Sequence, residues 1–323
     1  MRGHLAELEA AALETKPLLG GVVLAGQATI IFAPPGSGKT LLTIWLLVEA
    51  IAAGRVLGGN VYYMNGDDSS SGVANKVRIF EEVGAHMIVP GLQGFTAGKF
   101  VSLMREMIAT DTCRGVVIVV DTLKKVVDTM DKKDSAEFGQ IVRECVAKGA
   151  TFIGLGHTRK NPSANGKLVH AGTTDLLEDA DAACILTPLE ARPGSGEKFV
   201  QFLSIKRRGG NVDEAFAYAN GNTASYDELV ASVRRVDPVN VERLVGEAEE
   251  RTDEPIIDAI VACIAESAVQ KMQLAQAVAK RARVSARAAI KVIERYQGDD
   301  LSRHRWSYSV RDRGAKVYRL LTT

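Results

Sequence analysis

The segment Ala33-Pro34-Pro35-Gly36-Ser37-Gly38-Lys39-Thr40 constrains this chain more than any other part of it. It matches the pattern GxxxxGK[ST], with Ala33 where the first glycine is usual. An apolar run, Ala28 to Phe32, precedes it, and an apolar helical pattern, Leu41 to Ala53, follows. Strand, glycine loop and helix in that order make a loop whose backbone N–H groups converge on phosphates at a helix N-terminus. Gly36 and Gly38 permit the inward turn, Pro35 and Ser37 complete the cradle, Lys39 reaches the β and γ oxygens, and the Thr40 hydroxyl ligates a metal. The expected ligands are ATP and Mg2+.

Apolar strands recur at Val61 to Met64, Val116 to Val120, Thr151 to Leu155 and Ala183 to Leu186, with helical stretches at Val73 to Val83, Lys99 to Ala109 and Ser135 to Ala147. Alternation of that kind predicts an α/β fold with a mostly parallel sheet covered on both faces. Phe199 to Ile205 adds a strand, paired as a hairpin with the preceding one across Pro188 to Glu197. The length suits two domains. An ATPase domain is expected over residues 1–222 and a linker or bridging helix over 223–252. Pro255 is expected to open a helix of a small domain over 253–323.

Val116 to Val120 ends in Asp121, a carboxylate at the sheet edge beside the loop, suited to the metal's water shell. Thr122 follows it, so a general base must come from elsewhere. Asp67, just past the second strand, is the candidate, with Asp68 beside it; helix capping is the alternative for the pair. His157, in Gly154-Leu155-Gly156-His157 at the end of the fourth strand, faces the same edge, either as a structural histidine or as a γ-phosphate sensor. Lys206 and Arg208 follow a late strand, either as a solvated turn or as cations reaching a neighbouring subunit's phosphate.

Residues 1–219 resemble the RecA-type core of the RepA/DnaB group of hexameric helicases. The resemblance rests on the loop above, on Tyr63 to Asp68, on Val119 to Leu123, on Gly156 to Lys160 and on Lys206-Arg207-Arg208. It implies a RecA-like P-loop ATPase that assembles as a hexamer, with Lys206 and Arg208 acting in trans. Asp67 stands where that group has glutamate, which implies slow turnover. Two basic loops would face the pore and its single-stranded DNA: Lys124 to Asp134, and Arg159 to Ala171 with Arg159, Lys160 and Lys167. Ordinary exposed loops are the alternative.

The overall charge of +1 conceals a basic end. Ala268 to Thr323 holds 13 lysines and arginines against 4 acidic residues, a net +9. Within it, Lys271 to Tyr296 reads as helix-turn-helix, with Ser285 capping a helix whose exposed face carries Arg287, Lys291 and Arg295. Trp306, Tyr308 and Val310 alternate in a strand that returns across Arg311 to Gly314, including Arg313, as the wing of a winged helix does. Duplex DNA is the expected partner, a docked protein the alternative. Together these features point to an ATP-dependent helicase of a plasmid, phage or mobile element. A DNA-binding regulatory ATPase is the runner-up and a RecA-class recombinase the third reading. No membrane span or export signal is evident, so a cytoplasmic location is expected. Cys113, Cys145, Cys184 and Cys263 lack metal or disulfide spacing and read as buried fillers.

Overall fold

The computed structural model describes residues 16–66, 70–92, 94–159, 168–169, 171, 175–190, 194–220, 225–266, 270–311 and 314–321. Two short strands, β1 (Pro17–Leu19) and β2 (Val23–Leu24), pair antiparallel ahead of β3 (Ala28–Ala33). The strands that follow are β4 (Val61–Asn65), β5 (His86–Ile88), β6 (Val117–Asp121), β7 (Thr151–His157), β8 (Ala182–Leu189), β9 (Glu197–Arg207), β10 (Glu214–Ala219) and β11 (Arg234–Val236). Across the large sheet the order is β11-β10-β9-β8-β3-β7-β6-β4-β5. From β5 to β8 neighbours run parallel, and from β8 to β11 antiparallel. The hairpin expected across Pro188 to Glu197 is the β8–β9 pair.

All six residues of β3 are buried, as an uninterrupted apolar strand requires when both sheet faces are covered. The pleat sends alternate residues to opposite layers. Ile31, Val119 and Ile153 pack with Leu42, Leu46 and Phe80, from α1 (Lys39–Ala52) and α2 (Ser70–Glu82). Ile30, Ile118 and Phe152 pack with Phe100, Met104, Phe138 and Ile141, from α3 (Ala97–Ala109) and α4 (Lys132–Ala147). Helices on both faces of a largely parallel sheet, with β3 leading through a glycine loop into α1, are the α/β architecture of a RecA-like P-loop NTPase. A five-residue helix, α5 (Asp175–Asp179), precedes β8.

The stretch expected as a linker or bridging helix departs from a linker in its first part. Its first half folds into the sheet domain as α6 (Tyr226–Ala231), opened by a capping box between Ser225 and Glu228, and as the edge strand β11. The compact unit Met1–Val241 therefore takes in this segment. Pro255 does not open a helix but lies inside α7 (Pro238–Ala265). A proline there forfeits one backbone bond and crowds the preceding turn. Ile257, Ile260 and Ile264, just beyond it, are buried and oppose that cost.

The second unit, Glu242–Thr323, gathers the rest of α7 with α8 (Lys271–Ala282), α9 (Ala286–Arg295) and an antiparallel hairpin, β12 (Trp306–Arg311) and β13 (Ala315–Leu320). The core joins Ile260, Leu274, Val278, Ile293, Trp306 and Tyr318. Trp306 is fully buried, and its indole N–H donates to the Ile293 carbonyl at 2.9 Å. Ser285 accepts from the Ala288 amide and starts α9. No described helix is long and apolar enough to cross a membrane.

Candidate nucleotide site

The parallel strands end together at one edge: Ala33 lies opposite His157 in the β3–β7 register, and Asn65 opposite Asp121 in the β4–β6 register. Ligands of such sheets sit beyond the carboxyl ends of the strands. Between β3 and α1 the loop tightens on a Ser37 side chain donating to the Pro34 carbonyl at 2.7 Å. Gly36 and Gly38 have φ of 71° and 84°, the left-handed region that glycine enters freely, and Gly38 is the residue before the first turn of α1. A Cβ on Gly38 would meet the Tyr218 hydroxyl at 2.6 Å, so the loop is held closely from β10.

Asp121 is the centre of the polar site. Its Oδ1 accepts from Lys39 Nζ at 3.0 Å. Its Oδ2 accepts from Thr40 Oγ1 at 2.6 Å and from the Tyr63 hydroxyl at 2.8 Å. Lys39 and Asp121 are both buried. Burial pushes the Asp121 carboxyl up, but the Lys39 ammonium and the Thr40 and Tyr63 hydroxyls outweigh it and hold the group below the usual carboxylate range. One carboxylate beside one hydroxyl at a phosphate cradle fits magnesium, which takes few protein ligands and keeps water and phosphate oxygens for the rest. Among the described residues there is no cluster of three or more His, Cys, Asp or Glu that would hold a metal without help from a nucleotide.

A cavity of about 510 Å³ opens above the loop, with Asp121, Asn65 and His157 on its wall. Lys76, Lys198, Tyr218 and Tyr226, which spacing did not single out, also line it. Tyr218 is buried, its hydroxyl has no hydrogen-bond partner, and burial pushes its pKa up. Tyr63 opens a segment the resemblance rests on, but nothing in the sequence gives its hydroxyl or that of Tyr218 a part in the site, because a tyrosine in an apolar strand reads as core.

Other expected residues fall elsewhere. Asp67, Lys160, Lys167 and Arg313 lie outside the described residues. Arg159 is exposed just past β7, its amide donating to the Val169 carbonyl at 2.7 Å. Lys206 donates to the carbonyls of Leu177 and Glu178 at 2.7 and 2.6 Å, and Arg208 donates to the Glu178 carbonyl at 3.2 Å. Both cations therefore serve the carboxyl end of α5 in their own chain, as basic groups at a helix C-terminus do, and neither lines the cavity. In the second unit Arg287 and Lys291 are exposed. Arg295 is not part of a free basic stripe: it pairs with Asp253 at 2.7 Å and Glu249 at 3.4 Å. The Lys124 to Asp134 segment is only partly loop, since Leu123–Lys125 forms a 3-10 turn and α4 begins at Lys132. The four cysteines are free and buried.

Residues 4–163 match the family model AAA_25, an AAA domain. The match covers the loop, Asp121 and His157 but not the cavity wall from Lys198, Tyr218 and Tyr226, and it supports an ATPase of the P-loop class. No curated protein matches the chain.

Proposed function

We propose that the protein is an ATP-driven DNA helicase of the RepA type, a homo-oligomeric ring, hexameric as in that group, that hydrolyses ATP at subunit interfaces. Single-stranded DNA would run through the ring, and the C-terminal unit, read as a winged helix, would hold duplex. The observation that carries this reading is the Lys39, Thr40 and Asp121 constellation at the sheet edge of a chain that also bears a separate unit with exposed Arg287 and Lys291.

The residues divide the work. Loop amides and Lys39 bind and orient the phosphates, and Thr40 and Asp121 would hold Mg2+, which supplies charge neutralisation at the γ-phosphate. Asp67 is proposed to take the proton of the attacking water, and His157 to register the γ-phosphate at the end of β7. Arg159, Lys160 and Lys167 follow His157 in sequence and suit strand phosphates. The resting Lys39–Asp121 bond is exchanged for Lys39 to phosphate when nucleotide enters, which leaves Asp121 to its two hydroxyl donors.

A regulatory ATPase, whose output is ATP-dependent assembly on DNA, is the second reading. It is favoured by Lys206 and Arg208, whose bonds to their own α5 carbonyls must break before either reaches a neighbour's phosphate. Strand separation on a forked duplex separates the two. Unwinding with ATP, and none with a non-hydrolysable analogue, is expected of the helicase; DNA-stimulated hydrolysis without unwinding makes the regulatory reading the right one. With phosphate release measured alongside, Asp67→Asn is expected to slow hydrolysis at least tenfold, less than the roughly 10²- to 10⁴-fold that general bases contribute because the wild type is already slow. Activity within about twofold of wild type removes Asp67 as the base.

A further inference from the structure

Asp121 Oδ2 accepts two hydroxyls, and only one of them belongs to the phosphate-binding motif. The other is Tyr63, which reaches it from the middle of β4, fully buried, with its ring 5.1 Å from that of Phe80. A buried tyrosine hydroxyl needs a partner in any case, but here the partner is the same carboxylate oxygen that the motif's own Thr40 bonds. The third donor matters once Lys39 turns to phosphate and the Thr40 oxygen, while still donating its proton to Asp121, would also give a lone pair to the metal. A carboxylate in a low-dielectric site is then fixed by the donors that stay behind.

We infer that Tyr63 is a positioning residue for the magnesium carboxylate, holding Asp121 Oδ2 in place while Lys39 leaves Oδ1 for nucleotide. The inference rests on the reading of this cavity as an ATP and magnesium site. It gives β4 a part in the chemistry beyond delivering the Asp67 segment, and it explains a polar atom in the sheet interior. Thr40 and Tyr63 act on one oxygen and leave Oδ1 as the atom that changes partner.

The test is binding of a fluorescent ATP analogue to the full chain, measured in EDTA and in excess magnesium chloride. Tyr63→Phe keeps the ring and its packing and removes the one donor. The expected result is affinity in EDTA within about twofold of wild type and a magnesium-dependent gain reduced by about tenfold or more, the size of one lost bond to a charged group. In an Asp121→Ala background the same change is expected to add nothing further. An unaltered magnesium gain overturns the inference. So does a loss that is equal with and without magnesium, or one that persists undiminished in Asp121→Ala, since either assigns Tyr63 to packing alone. A wild-type chain that binds the analogue with no magnesium gain overturns the site reading beneath it, an outcome distinct from a defect confined to the variant.

Discussion

Lys39→Ala is expected to remove ATP hydrolysis, by about 10²- to 10³-fold or more, and to destabilise the folded chain at neutral pH as well. The first effect follows from losing the only cation that the loop itself presents to the phosphates. The second follows from the buried Lys39–Asp121 pair, because removing one member leaves the other charge without its main compensation. A broken buried pair costs about 3–5 kcal/mol, and the Thr40 and Tyr63 donors that remain on Asp121 put the expected loss at the lower end. The pH dependence gives the sign. In the wild type the Asp121 pKa is depressed, so its contribution is present above the unfolded value and disappears as pH falls through the lower folded value. Without Lys39 the largest influence opposing burial is gone and the pKa rises from its wild-type position, so the deficit of the variant shrinks as pH is lowered. Denaturant unfolding across a pH series, with phosphate release measured in parallel, checks both. Asp121→Asn added to Lys39→Ala is expected to recover stability and no activity. A deficit that does not change with pH contradicts the assignment of the cost to Asp121.

The same pair marks how far sequence reasoning reaches. The loop, Asp121 and the central strands are legible because each is a contiguous pattern: an apolar run, then a residue whose chemistry is needed at the end of a strand. β11 is not legible, for reasons visible in Arg234 and Arg235. In sequence these read as charged linker. In the fold Arg235 lies over Trp45 and Phe216, with its charge on Glu49, and Arg234 pairs with Glu197. Cations whose guanidinium groups lie over aromatic rings and meet carboxylates from distant segments look solvated until their partners are known. Pro255 misled in the opposite direction, since a local rule placed a helix start where the packing of Ile257, Ile260 and Ile264 carries one helix through.

The basic face of α9 shows the same limit and allows a sharp test. Spacing of i, i+4 and i+8 puts Arg287, Lys291 and Arg295 on one stripe, yet α7 intercepts the last of them through Asp253 and Glu249. If the C-terminal unit binds duplex, Arg287→Ala with Lys291→Ala is expected to weaken binding at moderate salt by at least an order of magnitude. It is also expected to reduce the slope of log affinity against log salt by about 2, close to one counterion for each phosphate no longer neutralised. Arg295→Ala is expected to do the reverse, lowering the unfolding midpoint by leaving Asp253 buried without its cation while duplex affinity stays within about twofold. Adding Arg313→Ala to the Arg287 and Lys291 pair tests whether the hairpin contributes, through a further fall in the slope. A salt slope that none of these changes moves would give the unit a protein partner instead, because a face that takes up phosphates has to lose counterion release when its cations are removed.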